Sequence, residues 1–139
     1  MQKIILDTNV LVSALIQKSY PYLILNDLYL EHKIEVCISE PLLAEYYEVL
    51  NRPKFSKFPD FKIKADQVLA DIAINASLFI PKKKVKKLKD ADDDMILELA
   101  QECKADFIIT GNTKDFTIPK FKKTLIVSPM EYWANHKPA

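Results

Sequence analysis

Short runs of strand-prone apolar residues alternate along this chain with longer stretches of helical periodicity. The first run, Ile4-Ile5-Leu6, ends on Asp7, and a new apolar stretch from Val10 to Ile16 predicts a helix. Ser19-Tyr20-Pro21 interrupts it. Pro21 suits the first turn of a second helix, with Leu23, Leu25, Leu28 and Leu30 supplying apolar surface as far as His32. Residues 34–38 (Ile-Glu-Val-Cys-Ile) predict the next strand. Ser39 then reads as an N-cap, with Pro41 in the first turn of a helix that Asn51-Arg52-Pro53 stops after Leu50. Residues 53–61 read as a loop carrying Phe55, Phe58 and Phe61 among lysines. Helical periodicity resumes over 62–76 through Ile63, Val68, Leu69 and Ile72. Leu78-Phe79-Ile80 predicts a short strand before Pro81. Residues 90–94 open a helix with apolar positions Met95, Ile96, Leu99, Ala100 and Cys103. Phe107-Ile108-Ile109 and Leu125-Ile126-Val127 predict the remaining strands, Pro129 starts a closing helix, and 136–139 are expected to fray. Buried parallel strands read as continuous apolar runs, and strands alternating with helices predict an α/β fold with a mostly parallel sheet.

Composition narrows this without changing it. A chain of 139 residues, 49% hydrophobic and 28% charged, is expected to form one domain over 1–139 with an ordinary globular balance. Its single glycine, Gly111, excludes Gly-rich phosphate loops, so neither a P-loop nor a dinucleotide fingerprint is present. Twenty basic and nineteen acidic residues nearly cancel to a net +1, so arrangement matters more than total. Cys37 and Cys103 sit in apolar settings without CxxC spacing, as free thiols of a reducing compartment do. The first apolar segment meets Asp7 after three residues, too short for a secretory leader, and no run reaches the ~18 residues of a membrane span. The expectation is a cytoplasmic protein.

Several acids fall where a purely structural reading does not expect them. Asp7 follows the first strand, the place where open α/β sheets carry their chemistry, although Asp is also a good helix cap. Glu45 stands three residues after Leu42 and four before Val49, within the apolar stripe of its helix. A carboxylate there is unfavourable unless it reaches water, is paired or holds a metal. Asp90, Asp92, Asp93 and Asp94 crowd one helix start; dipole and capping account for one or two of them, not four. Helical spacing puts Asp93 on the stripe through Ile96 and Ala100, makes Asp92 the N-cap or a supporting acid, and leans Asp94 towards solvent. Asp115 lies just past the strand 107–109. In a parallel sheet these positions share one edge, so four acids can converge on one pocket.

Clustered carboxylates without His or Cys favour Mg²⁺ or Mn²⁺, ions that lower the pKa of bound water and stabilise phosphoryl displacement. Beside them runs a basic stretch of Lys82, Lys83, Lys84, Lys86, Lys87 and Lys89, broken only by Val85 and Leu88. It offers what a phosphate backbone requires, and it is equally compatible with a solvated surface.

The series Leu6-Asp7-Thr8-Asn9-Val10, Leu43-Ala44-Glu45, the Asp-rich run leading to Leu97-Glu98-Leu99-Ala100, and Ile109-Thr110-Gly111-Asn112 with Asp115-Phe116 resembles the PIN-domain family. The resemblance covers essentially the whole chain and is nearest to the VapC-like toxin components of toxin–antitoxin pairs. It implies a single-domain Rossmann-like α/β/α sandwich and an Mg²⁺- or Mn²⁺-dependent endoribonuclease cleaving single-stranded RNA. It further implies a cognate antitoxin partner and a homodimer. The matching catalytic positions are Asp7, Glu45, Asp93 and Asp115, with Asp7, Asp93 and Asp115 as metal ligands. Thr8, Asn9, Thr110 and Asn112 match the flanking polar residues, and Asp92 and Asp94 are alternates. Many members carry an Asp where this chain has Asn112; others move the acid to the position of Asp115, as here. Two other classes compete: a catalytically silent PIN fold that binds RNA or a partner protein, and a haloacid-dehalogenase-like phosphotransferase. The second expects Asp-x-Asp after the first strand, where this chain has Asn9.

Overall fold

In the computed structural model, β1 (Lys3–Leu6) lies inside a six-stranded sheet of order β3-β2-β1-β4-β6-β5. The other strands are β2 (Glu35–Ile38), β3 (Ser77–Leu78), β4 (Phe107–Ile109), β5 (Lys120–Phe121) and β6 (Thr124–Val127). The structure describes residues 1–139 except Lys89, and of Asp115 only the backbone of its helix. Lys89, the last of the expected basic residues, and the side chain of Asp115, the expected fourth acid, therefore lie outside the described residues. All pairings are parallel except that of β5 with β6. Ile4, Ile5 and Leu6 are buried, as are Ile108 and Ile109 beside them, which is why these strands read as unbroken apolar runs.

The helices are α1 (Thr8–Ile16), α2 (Tyr20–Leu23), α3 (Glu40–Leu50), α4 (Phe61–Asn75), α5 (Ala91–Cys103), α6 (Thr113–Phe116) and α7 (Pro129–Asn135). From β1 the chain steps to β2 and then β3 on one side; after β3 it returns past β1 to β4. Right-handed crossovers taken in opposite directions put helices on both faces, which gives the α/β/α sandwich. Among the described residues no helix is long and apolar enough to cross a membrane. Cys37 and Cys103 are buried and free, as expected.

The differences from the sequence reading are local. The expected helix to His32 becomes α2 followed by a π-helical turn, Ile24–Tyr29; this buries Leu25 and Leu28 and leaves Leu30 exposed. The loop 53–61 contains a 3-10 turn at Pro53–Phe55, and Phe61 is buried at the start of α4 with Phe55 stacked on it at 5.0 Å. Strand β3 begins one residue early and stops at Leu78, although Phe79 still donates its N–H to the Ile38 carbonyl. Helix α6 and the two-residue β5 have no counterpart in the sequence pattern, because elements this short contain too little of a period to register.

Candidate active site

Strands β1 and β4 are parallel neighbours, with Leu6 opposite Ile109, and they end together at the place where strand order reverses. That reversal opens a crevice beyond the carboxyl ends. Asp7 leaves β1 with its N–H still bonded to the Ile109 carbonyl at 2.9 Å, and Thr110 leaves β4 bonded to the Val127 carbonyl at 3.0 Å. One Asp7 carboxylate oxygen accepts the Thr8 N–H at 2.8 Å, and the other accepts the Thr110 hydroxyl at 2.7 Å. Asp7 is thus the N-cap of α1 and a wall of the crevice at once; the two roles use the same carboxylate. Thr110 is fully buried, and its hydroxyl also accepts the Asn112 N–H at 3.0 Å.

Glu45 arrives on α3. Ser39 caps that helix through Leu42 N–H, and Leu42, Tyr46, Val49 and Leu50 bury its inner stripe. Glu45 sits half-buried at the stripe's edge, where its carboxylate accepts the Thr8 hydroxyl. Its neighbour Tyr46 is fully buried and donates its hydroxyl to the Leu6 carbonyl at 2.6 Å, which pins α3 to the end of β1. Burial raises the Glu45 carboxyl above its ordinary pKa; the Thr8 hydrogen bond opposes this, and the charges of Asp7, Asp92 and Asp90 reinforce it.

Asp7, Thr8, Asn9, Glu45, Asp92, Asp93 and Asn112 line one cleft of about 200 Å³. Seven of the expected positions therefore meet, and Thr110 supports them from beneath. Two residues to which the sequence reading gave no site role also line it: Asp90, named only as one of the crowded acids, and Arg52. The N-cap of α5 is Asp90, which accepts the Asp92 N–H at 2.9 Å, so the cap assigned to Asp92 is corrected by two residues. Arg52 lies just past the C-cap of α3, in extended backbone where helical spacing no longer applies, so the sequence pattern gave no signal for it. Its guanidinium pairs with Glu48 at 2.9 Å in an exposed bridge.

Asp94 requires a larger correction. It does not lean to solvent but is 7% exposed, and its Oδ1 accepts the backbone N–H groups of Lys87 and Leu88 at 3.2 and 2.9 Å. Residues 82–88 cover the side of α5 that carries Asp94, Glu98 and Glu102, and the helix also buries Leu97 beside Ile96 and Leu99, so its buried arc is wider than one stripe. Asp92 is exposed and Asp93 half-buried. Lys82, Lys83, Lys84, Lys86 and Lys87 are all exposed, and none of them lines the acidic cleft.

Among the described residues no three His, Cys, Asp or Glu side chains form a ready metal cage. The cleft's donors are nevertheless all oxygen, with neither histidine nor cysteine at its wall. That donor set suits Mg²⁺, which keeps several waters and binds through one or two carboxylates. The residues present fit such an ion.

Three comparisons bear on this arrangement. The sequence profile of the PIN domain family matches residues 3–114. An uncharacterized protein of Methanocaldococcus jannaschii is 32% identical over 111 residues, which cover 79% of this chain and 70% of that protein. The crystal structure of VapBC2 from Rickettsia felis bound to a DNA fragment from their promoter contains a chain of similar fold, with a TM-score of 0.58 and 20% sequence identity. That match covers 91% of this chain and 98% of the other.

Proposed function

The chain belongs to the PIN domain family, and on that premise we propose that it is an Mg²⁺- or Mn²⁺-dependent endoribonuclease acting on single-stranded RNA in the cytoplasm. We further assign it as the toxin of a toxin–antitoxin pair, with a protein antitoxin as partner and a homodimer as its assembly. The observation that carries the nuclease reading is the all-oxygen acidic cleft at the switch point of the sheet. The fold shared with a chain of VapBC2 supports the toxin assignment.

In this reading Asp7 and Asp93 hold the metal together with Asp115, carried on α6 just past β4. An ion held there would supply a lowered pKa for bound water and positive charge facing the phosphate. Everything else falls to the protein's own groups. Thr8 and Thr110 fix the carboxylates of Glu45 and Asp7, so the acids are oriented before substrate arrives. Glu45 takes the proton of the attacking water, a role suited to a carboxyl whose hold on a proton burial strengthens. Arg52 offers a planar donor fork to the phosphate at the rim of an otherwise acidic wall. Asn9 and Asn112 supply neutral hydrogen bonds to the sugar-phosphate.

The test is cleavage of a labelled single-stranded RNA by the purified chain with Mg²⁺ or Mn²⁺, with EDTA, and with Asp7→Asn. Cleavage is expected only with metal, and Asp7→Asn is expected to fold, by circular dichroism, yet cut at background rate. Wild-type activity in Asp7→Asn at equal purity, or indifference to EDTA, overturns the assignment.

A further inference from the structure

The basic stretch is held in place by its backbone rather than by its ammonium groups. Lys82 donates its N–H to Glu102 at 3.2 Å, Val85 to Glu98 at 3.1 Å, and Lys87 and Leu88 to Asp94 at 3.2 and 2.9 Å. Asp94, Glu98 and Glu102 follow one another at intervals of four, so they form one row along α5. Segment numbers fall as helix numbers rise, and residues 82–88 therefore run antiparallel to the helix for roughly 12 Å, the rise of α5 from Asp94 to Glu102 at about 1.5 Å per residue. Val85 and Leu88 are half-buried against the core, and the lysines between and before them stand in solvent. Among the described residues the one ion pair these lysines make is Lys84 with Glu98, loose at 3.9 Å, with the Lys84 side chain 89% exposed. One oxygen of each carboxylate thus accepts peptide N–H groups, and the lysine ammonium groups stand in solvent, apart from the loose Lys84 pair and Lys87 over the Phe121 ring.

The direction of the segment matters as much as its charge. Its Leu88 end meets Asp94, and one turn earlier α5 presents Asp90, Asp92 and Asp93 to the acidic cleft. A strand lying along the lysines is led to the place where cleavage is proposed. A free lysine-rich segment would repel itself and stay extended in solvent; the carboxylate row is what gives it a course.

We propose that Asp94, Glu98 and Glu102 are positioning residues that hold 82–88 as a basic track for the RNA phosphate backbone, aimed at the acidic cleft. The proposal rests on the ribonuclease reading above. The track's Leu88 end lies on Asp94, one turn of α5 from the acids of the cleft, and this favours RNA over an acidic protein partner as its occupant.

Three variants separate the possibilities: Glu98→Ala with Glu102→Ala, Glu98→Gln with Glu102→Gln, and Lys83→Ala with Lys84→Ala and Lys86→Ala. Each is measured for amide hydrogen exchange at 82–88, for binding of single-stranded RNA against salt in EDTA, and for kcat and KM with Mn²⁺. The lysine variant is expected to flatten the salt slope by about 2, three contacts at about 0.7 each. The alanine pair is expected to lose exchange protection over 82–88 and to raise KM about tenfold at physiological salt, as loss of about two contacts implies. Its kcat is expected to stay at the wild-type value. The glutamine pair keeps an acceptor oxygen at each position and is expected to bind as wild type. Lost protection with unchanged KM and slope, or protection that survives the alanine pair, overturns the positioning role. An unchanged slope in the lysine variant overturns the track and points to an acidic protein partner instead. Wild-type protein that neither binds nor cuts RNA defeats the ribonuclease reading itself, before any variant is compared.

Discussion

Replacing Thr110 with Val removes one hydroxyl and keeps the shape of the side chain, so it tests the support beneath Asp7 with little change in packing. The hydroxyl is fully buried, donates to the Asp7 carboxylate at 2.7 Å and accepts the Asn112 N–H at 3.0 Å. A hydrogen bond to a charged group contributes about 1.5–3 kcal/mol and a neutral one about 0.5–1.5 kcal/mol. Together they put the loss at about 2–4.5 kcal/mol. Unfolding entropy is about 2.1 cal/mol/K per residue, hence about 0.3 kcal/mol/K for 139 residues. Thermal unfolding in EDTA should therefore move down by roughly 7–15 °C. The functional effect is separate: loss of a group that orients a metal ligand lowers metal affinity by about 10–100-fold. Calorimetric titration with Mn²⁺ reads that effect, and cleavage at saturating Mn²⁺ should recover most of the lost rate. An unchanged melting temperature would refute the structural part of this reasoning. A lowered melting temperature with wild-type Mn²⁺ affinity would refute the assignment of Asp7 as a ligand.

Glu45→Gln should stabilise the metal-free protein and flatten its dependence on pH. The native state holds the Glu45 proton more tightly than the unfolded chain does, so stability falls as pH rises from the ordinary carboxyl value of about 4.5 through the raised native value. Glutamine removes that fall; melting curves against pH in EDTA check it, and an unaltered pH slope contradicts it. Tyr46→Phe takes away the hydroxyl that reaches the Leu6 carbonyl at 2.6 Å in a fully buried place. It should cost about 1–3 kcal/mol by urea unfolding, and a loss below about 0.5 kcal/mol would mean that the end of β1 is held without α3.

Much of this protein was legible in the order of its residues, because burial imposes a period that composition records. Ile4 to Leu6 and Phe107 to Ile109 are strands buried on both faces, and both faces are written as unbroken apolar runs. Ser39 before Pro41 marked the start of α3, and Glu45 inside an apolar stripe marked a carboxylate that packing alone did not explain. The sequence also placed Asp7 at the end of a strand, and it left capping and site roles open because both are local properties of one carboxylate.

What it could not contain is which elements touch. The neighbours of β1 are β2 and β4, and the cleft exists because β1 and β4 end side by side where the strand order reverses. No residue in either strand encodes the identity of its partner. Asp94 shows the same limit at a single side chain. A helical period assigns faces on the premise that one face is covered, but α5 is covered by the sheet and again by residues 82–88. The second cover widens the buried arc until Asp94 falls inside it, and an acid expected in solvent becomes an acceptor for two peptide groups. Arg52 and Asp90 entered the cleft for a related reason: a position at the end of one helix and the cap of another acquire a common wall only when α3 and α5 pack against each other. The period along each segment came from the sequence; the choice of which surfaces meet was made by the sheet, whose strand order sets every helix's neighbours.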